Sequence, residues 1–276
     1  MFKKIVITIG ILLMLCGAAN AWNISDADVA QWKLNDNAAN TDVADASGNG
    51  HGGTCSVNTS TAHATGKLDG ALDFNGDRYV TIGDDNAFSF GNGTSDSPFS
   101  VVAWVYVTDT ASVQVVISKY DATTGNNQKE WLLDFNTEEN LIFLVADQTN
   151  SVISYVTTDA ALSSGWRLIV ATYDGEGGAT AADGIEIYVD GLSVNVSVTN
   201  DASYVAMSNT SASVLLGAYT GAAQLSSYFA DKLDNIVIVD RVITEAEVKA
   251  LWNGGNGIED LKGGDFMTTN TKYWGA

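Results

Sequence analysis

Gly184–Val194 reads GIEIYVDGLSV and carries the plainest structural signal in the chain. Ile185, Ile187 and Val189 alternate with Glu186 and Tyr188, the period of two by which a strand buries one face and wets the other. Asp190-Gly191 then separates this run from a second one, Ser193–Val198. Asp and Gly both tolerate positive φ, so the pair predicts a tight type I′ hairpin.

The same grammar extends in both directions. Upstream, β-rich runs fall at Ala30–Leu34, Ala71–Phe74, Tyr79–Ile82, Ser100–Val107, Val113–Tyr120, Trp131–Phe135, Leu141–Ala146, Val152–Thr157 and Arg167–Tyr173. Downstream they fall at Ser213–Tyr219 and Leu233–Val239. Gly, Asn, Asp and Ser separate them, as turns require. One helix is expected, opened by a capping box at Thr244-Glu245-Ala246-Glu247, faced by Val248, Leu251 and Trp252, and closed at Gly254-Gly255. Many strands and a single late helix predict an all-β fold, a sandwich of two antiparallel sheets. No linker divides residues 22–257, which are expected to form one domain. Residues 258–276 are expected to be a tail or the truncated start of a further module.

Composition narrows the function classes. Lys3 and Lys4, the apolar run Ile5–Ala18 and the small residues Ala19 and Ala21 predict a secretory signal peptide over residues 1–21. No later segment approaches membrane-spanning length, so an exported protein, secreted or at the cell surface, is expected. The formal charge of −20 becomes −22 once the two leader lysines are gone. That excludes nucleic acid, whose affinity depends on basic residues at phosphates. Cys16 lies in the leader, which leaves Cys55 without a disulfide partner in the mature chain. His51, His63 and Cys55 lack zinc-site spacing.

An ordered set of motifs carries a family resemblance. AQWKLNDN (30–37) and VADASGNGHGGT (43–54) precede TGKLDGALDFNGDRYVTI (65–82) and PFSVVAWVYV (98–107). ALSSGWRLIVATYD (161–174), GIEIYVDGLSV, SVLLGAY (213–219) and FADKLDNIVIVDRVITEAEVKALWN (229–253) follow. The series resembles the laminin G-like jelly-roll domain of the concanavalin A-like lectin/glucanase superfamily over roughly residues 28–253. The resemblance implies a two-sheet antiparallel jelly roll, ligand binding on a concave face or its rim, and a structural calcium. Asp45-Ala46-Ser47-Gly48-Asn49-Gly50 matches the family's Asp-Ser-Ser-Gly-Asn-Gly, with Ala46 in place of the usual serine. Asp45 and Asn49 are the expected calcium ligands, aided by carbonyls that the glycines turn inward. Asp234 matches an aspartate that resembles a second ligand.

Three further groups bear on function. Glycosidases of the superfamily carry acids at alternating positions on one strand. Here Glu130 and Asp134 stand four apart, about 13 Å along an extended strand, too far to act as a pair; with Glu138 they are expected to be edge or turn acids. No nucleophile elbow, zinc-protease helix or phosphate loop is present, so the chain is expected not to be an enzyme. Trp104 and Trp166 are expected to pack internally, with Tyr106 sharing Trp104's parity. Tyr120, Trp131, Tyr155 and Tyr219 are the expected sugar-stacking aromatics, with Asp121, Asn126 and Asn127 as rim hydrogen-bonding groups. The expected function is a non-catalytic binding or adhesion module for carbohydrate or a cell-surface glycan. The alternative is a structural or protein-interaction domain of a larger surface assembly, with a glycoside hydrolase last.

Overall fold

A computed structural model describes residues 28–108, 112–123 and 128–259. The expected leader, Asn126, Asn127 and the tail beyond residue 259 lie outside the described residues. The strands in chain order are β1 (Asp28–Trp32), β2 (Asp42–Val43), β3 (Gly53–Cys55), β4 (His63–Thr65), β5 (Gly70–Asp73) and β6 (Val80–Ile82). Next come β7 (Phe99–Val107), β8 (Gln114–Asp121), β9 (Gln128–Phe135), β10 (Leu141–Asp147), β11 (Val152–Thr158) and β12 (Gly165–Tyr173). The series ends with β13 (Ile185–Val189), β14 (Leu192–Ser193), β15 (Val196–Thr199), β16 (Val214–Leu216), β17 (Tyr219–Thr220), β18 (Leu225–Ser226) and β19 (Lys232–Val239). One turn of helix, α1 (Thr59–Ala62), precedes β4, and α2 (Glu245–Trp252) follows β19.

These strands form the expected sandwich. The smaller sheet runs β14-β13-β12-β7-β19-β5-β4, with β1 on β19. The larger runs β15-β11-β10-β9-β8-β16-β6-β3-β2, with the β17–β18 hairpin at β8. Pairing is antiparallel apart from β17 on β8. The opening hairpin is as expected: Val189 pairs with Leu192, and Asp190 and Gly191 hold φ of 53° and 84°. Ile185 and Ile187 enter the core between the sheets, Glu186 is exposed, and Tyr188 is buried on the outer face of the smaller sheet.

Two expected strands are broken. Ser193–Val198 divides between β14 of the smaller sheet and β15 of the larger, because the chain crosses between sheets at Val194-Asn195, where Val194 packs on the core. Ser213–Tyr219 divides at Gly217, whose φ is 76° and where a Cβ would lie 2.1 Å from the Phe74 ring. Only glycine fits both demands.

The two outer faces have different fates. On the smaller sheet, Val248, Leu251 and Trp252 of α2 pack against Val102, Trp104, Leu168 and Val170. Trp104 stacks on Trp252 at 5.5 Å and Trp166 packs at the edge of the same cluster. The Thr244 capping box is present, and the helix ends on left-handed Asn253, just ahead of the expected glycines. On the larger sheet, Val115, Leu132, Leu144 and Ala146 form a separate apolar cluster bordered by Tyr120, Ile142, Tyr155 and Tyr219. No helix packs on this second face among the described residues.

Candidate functional site: the outer face of the larger sheet

Registration across five strands builds this face. Val115, Asp134, Ile142 and Thr157 stand in one row, and Leu132, Leu144, Tyr155 and Thr199 in the next. Period-two geometry puts every member of a row on the same side. Leu132 and Leu144 make an apolar floor, and Tyr120, Tyr155 and Tyr219 are half-buried around it. Tyr120 and Tyr219 meet edge to face at 5.7 Å, and the Lys129 ammonium lies 5.3 Å from the Tyr120 ring centroid. Three of the four expected aromatics therefore share one surface.

Trp131 does not. It shares parity with Leu133 and Phe135, which line the core. It is 0% exposed and its indole N–H donates to the Phe88 carbonyl at 2.9 Å. The expectation that Trp131 contacts ligand is corrected: it is a core residue, and its parity within Trp131–Phe135 already pointed inward.

Asp134 is the acid that sequence reasoning misplaced. It lies within β9, not at an edge or turn, and is only 8% exposed on the tyrosine face. Its Oδ1 has no hydrogen-bond partner among the described residues. Burial pushes its pKa up to about 7. Burial also raises the Tyr120 phenol to about 12, helped by Tyr219 and by the charge of Asp134, so carboxylate and phenol sense one another. The signal available in sequence was the shared parity of Asp134 and Leu132.

Glu130 is also buried, at 0% exposure, but on the other side of the sheet. Lys119 pairs with Trp131 and Tyr120 with Lys129, leaving Glu130 as an extra, bulged residue. A bulge re-aims its side chain. Glu130 Oε1 accepts from Ser89 Oγ (3.1 Å), Thr210 N (2.8 Å) and Thr210 Oγ1 (2.8 Å). Buried Lys119 stands 3.4 Å away and 2.6 Å from Asp84. Burial raises the Glu130 pKa, and Lys119 and the Thr210 donors oppose that rise.

The calcium ligands expected at Asp45, Asn49 and Asp234 are held by separate partners. Asp45 Oδ1 accepts from Gln31 N, Ser47 N and Ser47 Oγ, and Oδ2 from His51 N. Burial alone would raise this carboxyl, but the bonds from Ser47, His51 and Gln31 outweigh it and hold the pKa low. The Asn49 amide donates to the Val29 carbonyl. Asp234 Oδ2 accepts from Lys67 N and Leu68 N, both at 2.7 Å, while its Oδ1 is buried without a partner. Burial raises Asp234 to about 7, and the charges of Glu259 and Asp69 push the same way. Among the described residues, no three of His, Cys, Asp and Glu cluster as a metal cage. The donor set does not fit a cage built on Asp45; Asp234 Oδ1 is an oxygen left over.

A family model described as the concanavalin A-like lectin/glucanases superfamily matches residues 74–249. The chain belongs to this superfamily. The match begins beyond the Asp45 loop, so superfamily membership rests on the strands from Phe74 onward. No curated protein sequence matches the chain. Among solved structures, the chain is similar to the binding domain of Paraclostridial Mosquitocidal Protein 1, with a TM-score of 0.58, 17% identity, and coverage of 84% of this chain and 53% of that one. It is also similar to the binding domain of botulinum neurotoxin DC in complex with rat synaptotagmin II (0.55, 14%, 84% and 52%). A third likeness is the botulinum neurotoxin serotype D ligand binding domain in complex with N-acetylneuraminic acid (0.55, 11%, 83% and 51%). This superfamily member spans about half the length of each of these structures, and at such identities the likeness is one of fold.

Proposed function

We propose that the chain is an exported, non-catalytic carbohydrate-binding module whose ligand lies on the outer face of the larger sheet. The observation that carries this is the half-buried trio Tyr120, Tyr155 and Tyr219 around an apolar floor that no helix among the described residues covers. Tyrosine rings offer flat apolar faces to sugar C–H groups while their hydroxyls stay free for polar contacts. Superfamily membership and neighbours that bind a sugar acid and a protein support a binding role. A hydrolytic role for Glu130 with Asp134 is disfavoured, because one carboxylate faces the core side of β9 and the other the outer face, so they do not flank a common bond. Calorimetry against a panel of soluble oligosaccharides tests the proposal. Tyr120→Ala and Tyr219→Ala are each expected to weaken binding by about tenfold or more, and Tyr106→Ala, on the smaller sheet, to leave it unchanged. Binding indifferent to both tyrosines would sink the assignment of this face.

Calcium belongs to the same proposal, at Asp234 and not at Asp45. Asp234 Oδ1 lacks a donor and lies in the negative field of Glu259 and Asp69, a setting that favours a hard cation. Calcium bound only by the folded state raises the melting midpoint by mass action. The rise between EDTA and calcium is expected to persist in Asp45→Asn and to vanish in Asp234→Asn. No rise in the unmodified chain removes calcium altogether.

A further inference from the structure

The Asp134 carboxyl is the least explained polar group on the proposed ligand face. It lies between Val115 and Ile142 in its row, it is more than nine-tenths buried, and Oδ1 has no donor among the described residues. Leaving such an oxygen unpaired is costly, and native structures almost always supply a partner. Here a ligand is the natural source of that partner.

The surroundings decide which kind of donor. Tyr120 and Tyr219 present π-rich rings on the same face, Tyr120 near enough to feel the Asp134 charge, and ring faces attract cations. The face already holds one ammonium, that of Lys129 against Tyr120. No arginine pairs with Asp134 among the described residues, and the whole chain carries −20. An anionic sugar would meet an unscreened carboxylate in a negative field, whereas a cationic one is drawn to it.

We infer that this face takes a glycan bearing free amino groups, an oligomer or polymer of hexosamine units, with one ammonium seated on Asp134 and a ring against Tyr120 and Tyr219. The inference rests on the carbohydrate-binding proposal and names its ligand class. It departs from the sialic acid held by the serotype D neighbour, a sugar acid of opposite charge. Asp134 supplies the counter-charge and the tyrosines supply the apolar surface. Lys129 competes for the Tyr120 ring.

Calorimetry of the full chain at pH 7 and 50 mM salt, with hexamers of glucosamine, N-acetylglucosamine and galacturonate, tests this. Glucosamine hexamer is expected to bind at least tenfold tighter than its N-acetylated counterpart, and galacturonate hexamer not at all. Asp134→Asn is expected to erase that tenfold preference. Lys129→Gln is expected to tighten the glucosamine hexamer at least twofold, and 0.5 M salt to weaken that ligand selectively. A melt of each variant confirms folding. Equal or reversed preference, or a preference that survives Asp134→Asn, overturns the amino-sugar inference. Should the tyrosine variants still lower affinity for the neutral hexamer in that case, the carbohydrate face stands without it. Absence of binding by all three hexamers overturns both.

Discussion

Asp134→Asn melts at a higher temperature than the unmodified chain at pH 8, by roughly 8–16 °C, and at the same temperature within about 2 °C at pH 4. The sign follows from the raised pKa. Burial lifts the folded-state value from 3.8 to about 7. Below the unfolded value both states are protonated and the carboxyl contributes no difference. Between about 4 and 7 the unfolded chain ionises first, so folding stability falls as pH rises. Above about 7 the folded state carries a buried ionised carboxylate at a constant cost on the order of 4 kcal/mol. Asparagine leaves a buried amide whose burial cost matches that of the protonated carboxyl, so at pH 8 it relieves the whole ionisation cost. A domain of this size moves about 2–4 °C per kcal/mol, which gives the stated range. Asp234, also raised to about 7, produces the same trend in both proteins, so the difference between them isolates Asp134. Thermal melts at pH 4, 6 and 8 check it, and an identical profile for the two proteins counts against an unpaired carboxylate. A residue that lowers stability yet sits on the proposed ligand face is what a binding site looks like when function and stability conflict.

The second large effect is a loss. Lys119→Met is expected to destabilise by about 3–5 kcal/mol at pH 7, a fall in midpoint of about 6–20 °C. Methionine fills similar space, so the loss is electrostatic. The Lys119 ammonium is fully buried and donates to Asp84 (2.6 Å) and to the Ala212 carbonyl (2.7 Å), with Glu130 3.4 Å away. Without it buried Glu130 loses its counter-ion, with Oε2 already unpartnered among the described residues, and must either carry an unpaired charge or take up a proton on folding, and both cost stability at pH 7. The deficit therefore shrinks as pH falls and Glu130 takes up a proton. Lys119→Met with Glu130→Gln is expected to recover at least half of the loss, because no buried charge is then left alone. Denaturant midpoints of the wild type, the two single variants and the double variant decide it. A double variant no more stable than Lys119→Met would remove the pairing as the cause.

Much of the architecture was legible along the chain. Ile185, Ile187 and Val189 declared their strand by period, Asp190-Gly191 declared its hairpin by φ preference, and Thr244 with Glu247 declared the helix start by reciprocal capping. Each is a local rule, satisfied by residues within a few positions of one another. The site was half legible. Tyr120, Tyr155 and Tyr219 were identifiable as aromatics but not as a group, since they come from β8, β11 and β17. Trp131 was misjudged although its parity with Leu133 and Phe135 was visible. The split of Ser193–Val198 between two sheets had no local marker, because the crossing at Val194 is set by what lies across the core.

The sequence alone determined the fold class, the single late helix and the excess of acid, since periodicity, capping and charge count are properties of neighbours in the chain. Tertiary structure decided which carboxylate faces what. On a regular strand Glu130 and Asp134 share a side. A bulge at Glu130 sends it to Lys119 and Thr210 and leaves Asp134 on the tyrosine face. Whether a residue is bulged depends on the register of the partner strand, and that register is fixed by packing between residues far apart in sequence.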